Sequence, residues 1–405
     1  MMKLPSIEAL HVHNRSATRD RPYGDAERSV LSLAGFRTAR AEIASWPGYR
    51  PTPLLPLPSL ARALDVGAIL YKDEAHRLGM ESFKALGGAY AVLAVIKRRL
   101  AAGGTEPTTC SLLDGSRHGQ AASVTVAAAT DGNHGRSVAW GAQMFGATAV
   151  IYLHQNVSPD RERAIARYGA RIVRVEGGYD ASVRQCAADA EANGWELVAD
   201  TSADPAAAIP ALVMQGYTLI AEEIIDSAAR PTHVFVQAGV GGLAAAMAAH
   251  FWERLGPDRP RIVVVEPIKA DCVFRTVAAG RPDPVPGDTD TFMACLAAGE
   301  ISAPAWVILR HAADDVLALP EEAAPAAMRL LAEGRGGDPV VVSGESGCAA
   351  IAGLLAACQS ADLRTHLGLD ANAVVVAIGS EGATDPATYE RVVGRPAHLV
   401  AGAAE

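Results

Sequence analysis

Apolar positions along this chain switch between two periods. Short β-branched or apolar runs predict strands at residues 67–72, 123–129, 148–153, 171–175, 196–199, 232–237, 261–266 and 373–378. Between them, apolar residues recur at helical spacing over residues 82–100, 133–145, 159–168, 179–193 and 241–255. Strands and helices alternating in this way predict an α/β fold of parallel strands with crossover helices on both faces. Two stretches break the rhythm. Residues 101–116, with Gly103-Gly104-Thr105-Glu106-Pro107 and Asp114-Gly115-Ser116, read as a surface excursion, and residues 280–290, with three prolines, read as a loop. Tandem repeats, a low-complexity tail and a flexible linker are all lacking, so the lobes are expected to share long packed boundaries.

Composition narrows the function classes. The 405 residues suffice for two or more lobes around sizeable cores. A formal net charge of -9 argues against a general nucleic-acid or anionic-membrane binder, which needs a basic face. The first twenty residues lack the apolar core of a signal peptide, and no stretch reads as apolar for long enough to cross a bilayer, so a cytoplasmic protein is expected. Cys110, Cys186, Cys272, Cys295, Cys348 and Cys358 are scattered, with neither a CxxC pair nor a His/Cys cluster at metal spacing. They are expected as reduced packing thiols, and no metal site is expected.

Three segments carry candidate chemistry. In Glu81-Ser82-Phe83-Lys84-Ala85-Leu86-Gly87-Gly88 the lysine has apolar neighbours that pull it toward the interior. A buried lysine loses its proton easily and suits a Schiff base. The segment Ala238-Gly239-Val240-Gly241-Gly242-Leu243-Ala244 joins a strand to a helix, so its amides and the helix's positive end suit a phosphate. It also satisfies G-x-G-x-x-A, with Glu266 ending the next strand where a ribose-binding acid stands in a dinucleotide fold, which keeps a nicotinamide-dependent dehydrogenase in play. Third, Thr130-Asp131-Gly132-Asn133-His134-Gly135 opens a helix. Asn133 could cap that helix or bond a ring hydroxyl of a cofactor. His134 reads as a turn residue, and Asp131 as a turn-former or a carboxylate over a pocket.

Ser82-Phe83-Lys84, Asp131-Gly132-Asn133-His134-Gly135 and Gly239-Val240-Gly241-Gly242 stand in the order typical of fold-type II pyridoxal-phosphate enzymes, the tryptophan synthase β-subunit and threonine dehydratase group. Within that group the chain most resembles the diaminopropionate ammonia-lyases. Supporting stretches are His76 to Lys84, Met214-Gln215-Gly216-Tyr217, Val265-Glu266-Pro267, residues 293–300, Gly344-Glu345-Ser346-Gly347 and residues 380–386. The resemblance implies two three-layer α/β lobes with parallel-rich sheets: a large cofactor-binding domain from residues 1–84 and 201–405, and a smaller domain, residues 85–200, inserted in it. It implies pyridoxal 5'-phosphate as cofactor and a homodimer. Carried over by position, Lys84, beside Phe83, would hold the cofactor as a Schiff base, and Asn133 would bond its phenolic oxygen. The backbone of Gly239, Val240, Gly241, Gly242 and Leu243 would hold its phosphate. Ser380 would stand by the pyridine nitrogen, where a neutral hydroxyl favours quick expulsion of a β leaving group over transamination.

The reaction so implied is α,β-elimination of D- or L-2,3-diaminopropionate to pyruvate and ammonia. Asp131 and Asp200 match the two aspartates that would take the Cα proton from opposite faces, which requires each carboxyl to be partly desolvated and its pKa to rise toward neutrality. Two departures bear on the substrate. Ser202-Ala203-Asp204-Pro205-Ala206 replaces the expected Ala-Trp-Glu-Gly-Tyr, and Ala383 stands where an aspartate is usual. Serine or threonine dehydration and β-replacement therefore stay open with the same cofactor, as does a non-catalytic amino-acid-binding protein of this fold.

Overall fold

The structure, a computed structural model, describes residues 4–104, 106–130 and 132–402, the side chain at position 180 excepted. Among the described residues, eleven strands form two sheets: β1 (Leu10–His13), β2 (Leu54–Pro56), β3 (Ala68–Asp73), β4 (Thr125–Ala129), β5 (Thr148–His154), β6 (Arg171–Val175), β7 (Glu196–Leu197), β8 (His233–Gln237), β9 (Arg261–Pro267), β10 (Asp315–Leu319) and β11 (Val374–Gly379). The larger sheet runs β1-β10-β9-β8-β11-β3-β2. Its middle strands are parallel, and β1 and β2 close the two edges antiparallel. The smaller sheet, β6-β5-β4-β7, is parallel throughout.

The apolar runs become strands because both sheet faces are covered. Every residue of β8 is buried, and Ile262 to Val265 of β9 are fully so. A parallel strand between two helical layers needs such an unbroken apolar run rather than alternation. β1, β2 and β10 were not expected. β1 is a short, half-polar edge strand, and β10 opens on a charged residue, so neither shows the full apolar run.

Three helices meet under the cleft between the sheets. Helix Lys84–Ala101 packs against helix Asn133–Phe145 and helix Ala208–Asp226. A Cβ at Gly87 would collide with the Tyr217 ring and the Val213 carbonyl, so only glycine lets the lysine helix approach so closely. Contrary to expectation, Ala208–Asp226 is long and apolar enough to cross a membrane, the one such helix among the described residues. Most of it lies inside the protein, packed against helix Lys84–Ala101 and helix Gly242–Leu255, so it serves as a core helix.

Ahead of Lys84 the chain is pinned by buried charge. Arg77 is fully buried and donates to both oxygens of Glu74 and both of Glu223. Lys72 donates to Glu223 and to the Thr52 carbonyl. Between this network and Lys84, Leu78 and Glu81 hold φ of +52° and +51°. The left-handed region costs a non-glycine residue about 1–2 kcal/mol, which the surrounding contacts offset.

Candidate active site

A cleft of about 1020 Å³ opens between the sheets, and Phe83, Lys84, Asn133, Asp200, Gly239 to Leu243 and Ser380 all line it. Segments from opposite ends of the sequence are thus brought to one place. The Phe83 amide donates to the Ser380 carbonyl at 3.1 Å, the Gly382 amide donates to the Glu81 carbonyl at 2.9 Å, and Ser82 forms an isolated bridge with Glu381.

Lys84 is the first residue of its helix, and its Nζ donates to Asp200 Oδ2 at 2.6 Å. The rings of Phe83 and Tyr217 meet edge-on at 4.7 Å and stand 5.4 and 5.9 Å from that nitrogen. Burial alone would push the lysine's pKa down. The Asp200 carboxylate outweighs it, with Tyr217 adding a smaller pull, and holds Lys84 above the ordinary lysine value. The expectation of an easily deprotonated amine is therefore corrected: the apolar neighbours are present, but an ion pair dominates them. Asp200 is corrected likewise. Burial pushes its carboxyl up, yet the Lys84 ammonium and the His134 ring hold it well below the usual carboxylate range rather than near neutrality. Asp131 lies outside the described residues.

Asn133 does not cap its helix: it is the first helical residue, and Gly132 occupies the cap position with no side-chain bond. Its Nδ2 instead donates to Glu381 Oε2 and stands 3.4 Å from Cys295 Sγ. His134 is buried, its Nε2 lies 2.8 Å from the Val198 carbonyl and its Nδ1 lies 3.9 Å from Asp200 Oδ2. Burial lowers its pKa, so a neutral ring backs the ion pair.

The glycine segment leaves the carboxyl end of β8 and turns into helix Gly242–Leu255 through Gly241, at φ +90°. The first amides of a helix have no carbonyl one turn earlier to bond, so this end offers donors and positive potential to the cleft. Across from it the Ser380 hydroxyl accepts from Gln237 Nε2 at 2.6 Å. An amine, a turn of free amides and a buried hydroxyl make a donor set that fits pyridoxal phosphate: aldehyde, phosphate and ring nitrogen each find a partner of matching chemistry. Glu266 takes no part. It is fully buried, receives the Val273 and Phe274 amides at a helix start, and is raised to about 8 by burial. A ribose-binding acid would line the cleft, and Glu266 does not.

Several residues in the cleft wall or behind it had no role in the sequence reading. Glu381 accepts from Asn133, Thr384 and the Ser346 amide. Arg161, on helix Pro159–Ala166 beside the smaller sheet, reaches Glu345 at 2.7 Å. Burial and the nearby Glu381 raise Glu345 to about 7. Tyr217 and Glu345 lay in stretches that carried the resemblance. Arg161, on a charged amphipathic helix, gave no local signal at all.

Residues 45–380 match the family described as pyridoxal-phosphate dependent enzyme. A diaminopropionate ammonia-lyase of Escherichia coli (strain K12) is 38% identical over 391 residues, covering 94% of this chain and 97% of that protein. The crystal structure of the selenomethionine-incorporated holo diaminopropionate ammonia lyase from Escherichia coli superposes with a TM-score of 0.86 at 34% identity, covering 96% of this chain and 98% of that one. The Escherichia coli enzyme in complex with an aminoacrylate-PLP azomethine reaction intermediate superposes with a TM-score of 0.85, also at 34% identity and over 96% and 98% of the two chains.

Proposed function

The chain belongs to the pyridoxal-phosphate dependent enzymes, among their diaminopropionate ammonia-lyases, and on that premise we propose that it eliminates ammonia from 2,3-diaminopropionate. The observation that carries this reading is the Lys84–Asp200 pair at 2.6 Å, facing a glycine turn and a helix start across one cleft. When bound, pyridoxal phosphate supplies an aldehyde that combines with amines and a conjugated ring that spreads the electron pair left at Cα.

The protein's own groups do the rest. Lys84 Nζ is the amine that anchors the cofactor, and the amides from Gly239 to Leu243 hold its phosphate. The Ser380 hydroxyl, oriented by Gln237, meets the ring nitrogen without giving it a full charge. Asn133, fixed by Glu381, bonds the phenolic oxygen. With the ammonium beside it gone, the upward push of burial on Asp200 is opposed only by the weaker hold of His134 and a backbone hydrogen bond, and its more basic carboxylate takes the Cα proton. Asp131 is the candidate for the opposite face. The β-amino group leaves as ammonia, and the released 2-aminoacrylate takes up water to give pyruvate and a second ammonia. Residues 85–200 form the smaller lobe in this reading, supported by their own parallel sheet, and the assembly is a homodimer.

A second reading has one observation in its favour. Ala203 lines the cleft at the position where the family pattern carries tryptophan, which leaves room for a different β substituent. Dehydration of serine or threonine by the same residues is that alternative. A panel of amino acids followed for pyruvate or other 2-oxo acids and for ammonia separates them. Two ammonia per pyruvate from diaminopropionate is the expected result. Turnover confined to serine or threonine would overturn the assignment, and a colourless protein that borohydride does not label at Lys84 would overturn the site.

A further inference from the structure

Away from the cleft, at the far end of the large sheet, three imidazoles crowd one carboxylate oxygen. Asp315 opens β10 and is fully buried. Its Oδ1 lies 2.9 Å from His11 Nε2, 3.2 Å from His13 Nδ1 and 2.9 Å from His366 Nε2. Its Oδ2 receives Arg261 Nε at 2.7 Å. His11 and His13 are alternate residues of β1 and so share one face of that edge strand, and the antiparallel register sets His13 opposite Asp315. His366 comes from the last turn of helix Ala361–Leu367.

From this convergence we propose that His11, His366 and Asp315, with His13 as a fourth ligand, bind a divalent transition-metal ion, zinc above all. The ligand atoms of His11, Asp315 and His366 all lie within 4.8 Å of one another. In a tetrahedral site with bonds of about 2.0–2.1 Å, neighbouring ligand atoms stand about 3.3 Å apart, close to the imidazole–carboxylate separations here. Arg261 stands beside the cluster, its Nη2 3.1 Å from His366 Nε2. A ring nitrogen has one lone pair, so ligation turns that of His366 from Arg261 to the ion. The Arg261 bond to Oδ2 leaves Oδ1 available to the ion and is the kind of outer contact that orients a ligating carboxylate. Nitrogen-rich donors with one carboxylate suit zinc over magnesium or calcium.

The position assigns a structural role. Arg261 and Asp315 begin β9 and β10, whereas the cleft lies beyond the carboxyl ends of the parallel strands. The ion would tie β1 and helix Ala361–Leu367 to the sheet and take no part in turnover. The sequence reading expected no metal because it sought local spacing, and these ligands come from three distant segments.

The test strips full-length holoenzyme with a chelator and titrates it with Zn²⁺ by calorimetry and with Co²⁺ by visible absorption. One tight equivalent per chain is expected, with an intense tetrahedral Co²⁺ spectrum and a Tm that rises with zinc. His11→Ala and His366→Ala should each weaken Zn²⁺ binding by at least about 100-fold and abolish the Tm rise, while amino-acid turnover is retained. Absence of zinc binding, or binding equally tight in both variants, overturns the proposal and leaves a hydrogen-bonded cluster only. Should a variant fail to fold, the parent's cobalt spectrum decides, and a weak octahedral spectrum counts against the site.

Discussion

Two lysines stand on either side of one loop, and each donates to a carboxylate at almost the same distance. Lys72 Nζ lies 2.5 Å from Glu223 Oε2, and Lys84 Nζ lies 2.6 Å from Asp200 Oδ2. Lys72 is the more deeply buried, its side chain 2% exposed against 18% for Lys84. Yet Lys72 is saturated. It also binds the Thr52 carbonyl, and its carboxylate partner receives Arg77, Tyr49 and the Thr52 amide. Lys84 has the one carboxylate and two ring faces, at the wall of a cavity. Burial therefore does not mark a reactive amine. Few partners and open volume beside it do.

Replacing Lys84 by alanine should test this contrast most severely. Turnover is expected to fall by at least about 10⁴-fold, while thermal stability falls less than in the Lys72 variant described below. Retained turnover would break the comparison at once. Next, Asp200→Asn should slow elimination by roughly 10²–10⁴-fold, and unequally for D- and L-diaminopropionate. Equal loss with both isomers would refute a one-face role. Lys72→Met should do the reverse of Lys84→Ala. It strips a charge from a buried network and should cost about 3–5 kcal/mol in urea unfolding, with kcat of the folded fraction near the parent's.

A subtler effect sharpens the electrostatics. In the parent, the Asp200 carboxyl is held below its ordinary 3.8, so its contribution to stability is present above that pH and fades as pH falls through the folded value. Lys84→Met removes the ammonium and leaves burial opposed only by the nearby His134 and a backbone hydrogen bond. The Asp200 carboxyl should then titrate above the parent's value, followed by ¹³C NMR of labelled aspartate. An unmoved titration would show that the ion pair is not what depresses it. The smallest change is expected at Tyr217, whose hydroxyl is buried without a partner. Tyr217→Phe should stabilise the fold by at most about 1 kcal/mol.

Much of the framework could be read from periodicity. Helix Asn133–Phe145, β6 and helix Tyr179–Asn193 appear with the bounds their spacing predicts, because each is a clean amphipathic or β-branched run between turn residues. Helix Ala208–Asp226 escaped, since an element apolar on nearly all sides shows no stripe. Within the site, the lysine, the asparagine turn and the glycine turn were visible because backbone chemistry dictates their local residues. The charge state of Lys84 was not. Its partner lies 116 positions further along the chain, and no local window reports a contact of that span. Glu381, Gln237 and Arg161 were missed for the same reason.

The splice that joins Glu81 to Phe83 with Ser380 to Gly382 has one further consequence. Those two strips are sewn together by backbone, so they travel as a single plate. That plate gives the anchor amine and the ring-nitrogen contact one common frame, and the Lys84 carbonyl, accepting from Ser137 Oγ at 2.6 Å, ties helix Asn133–Phe145 to the same frame.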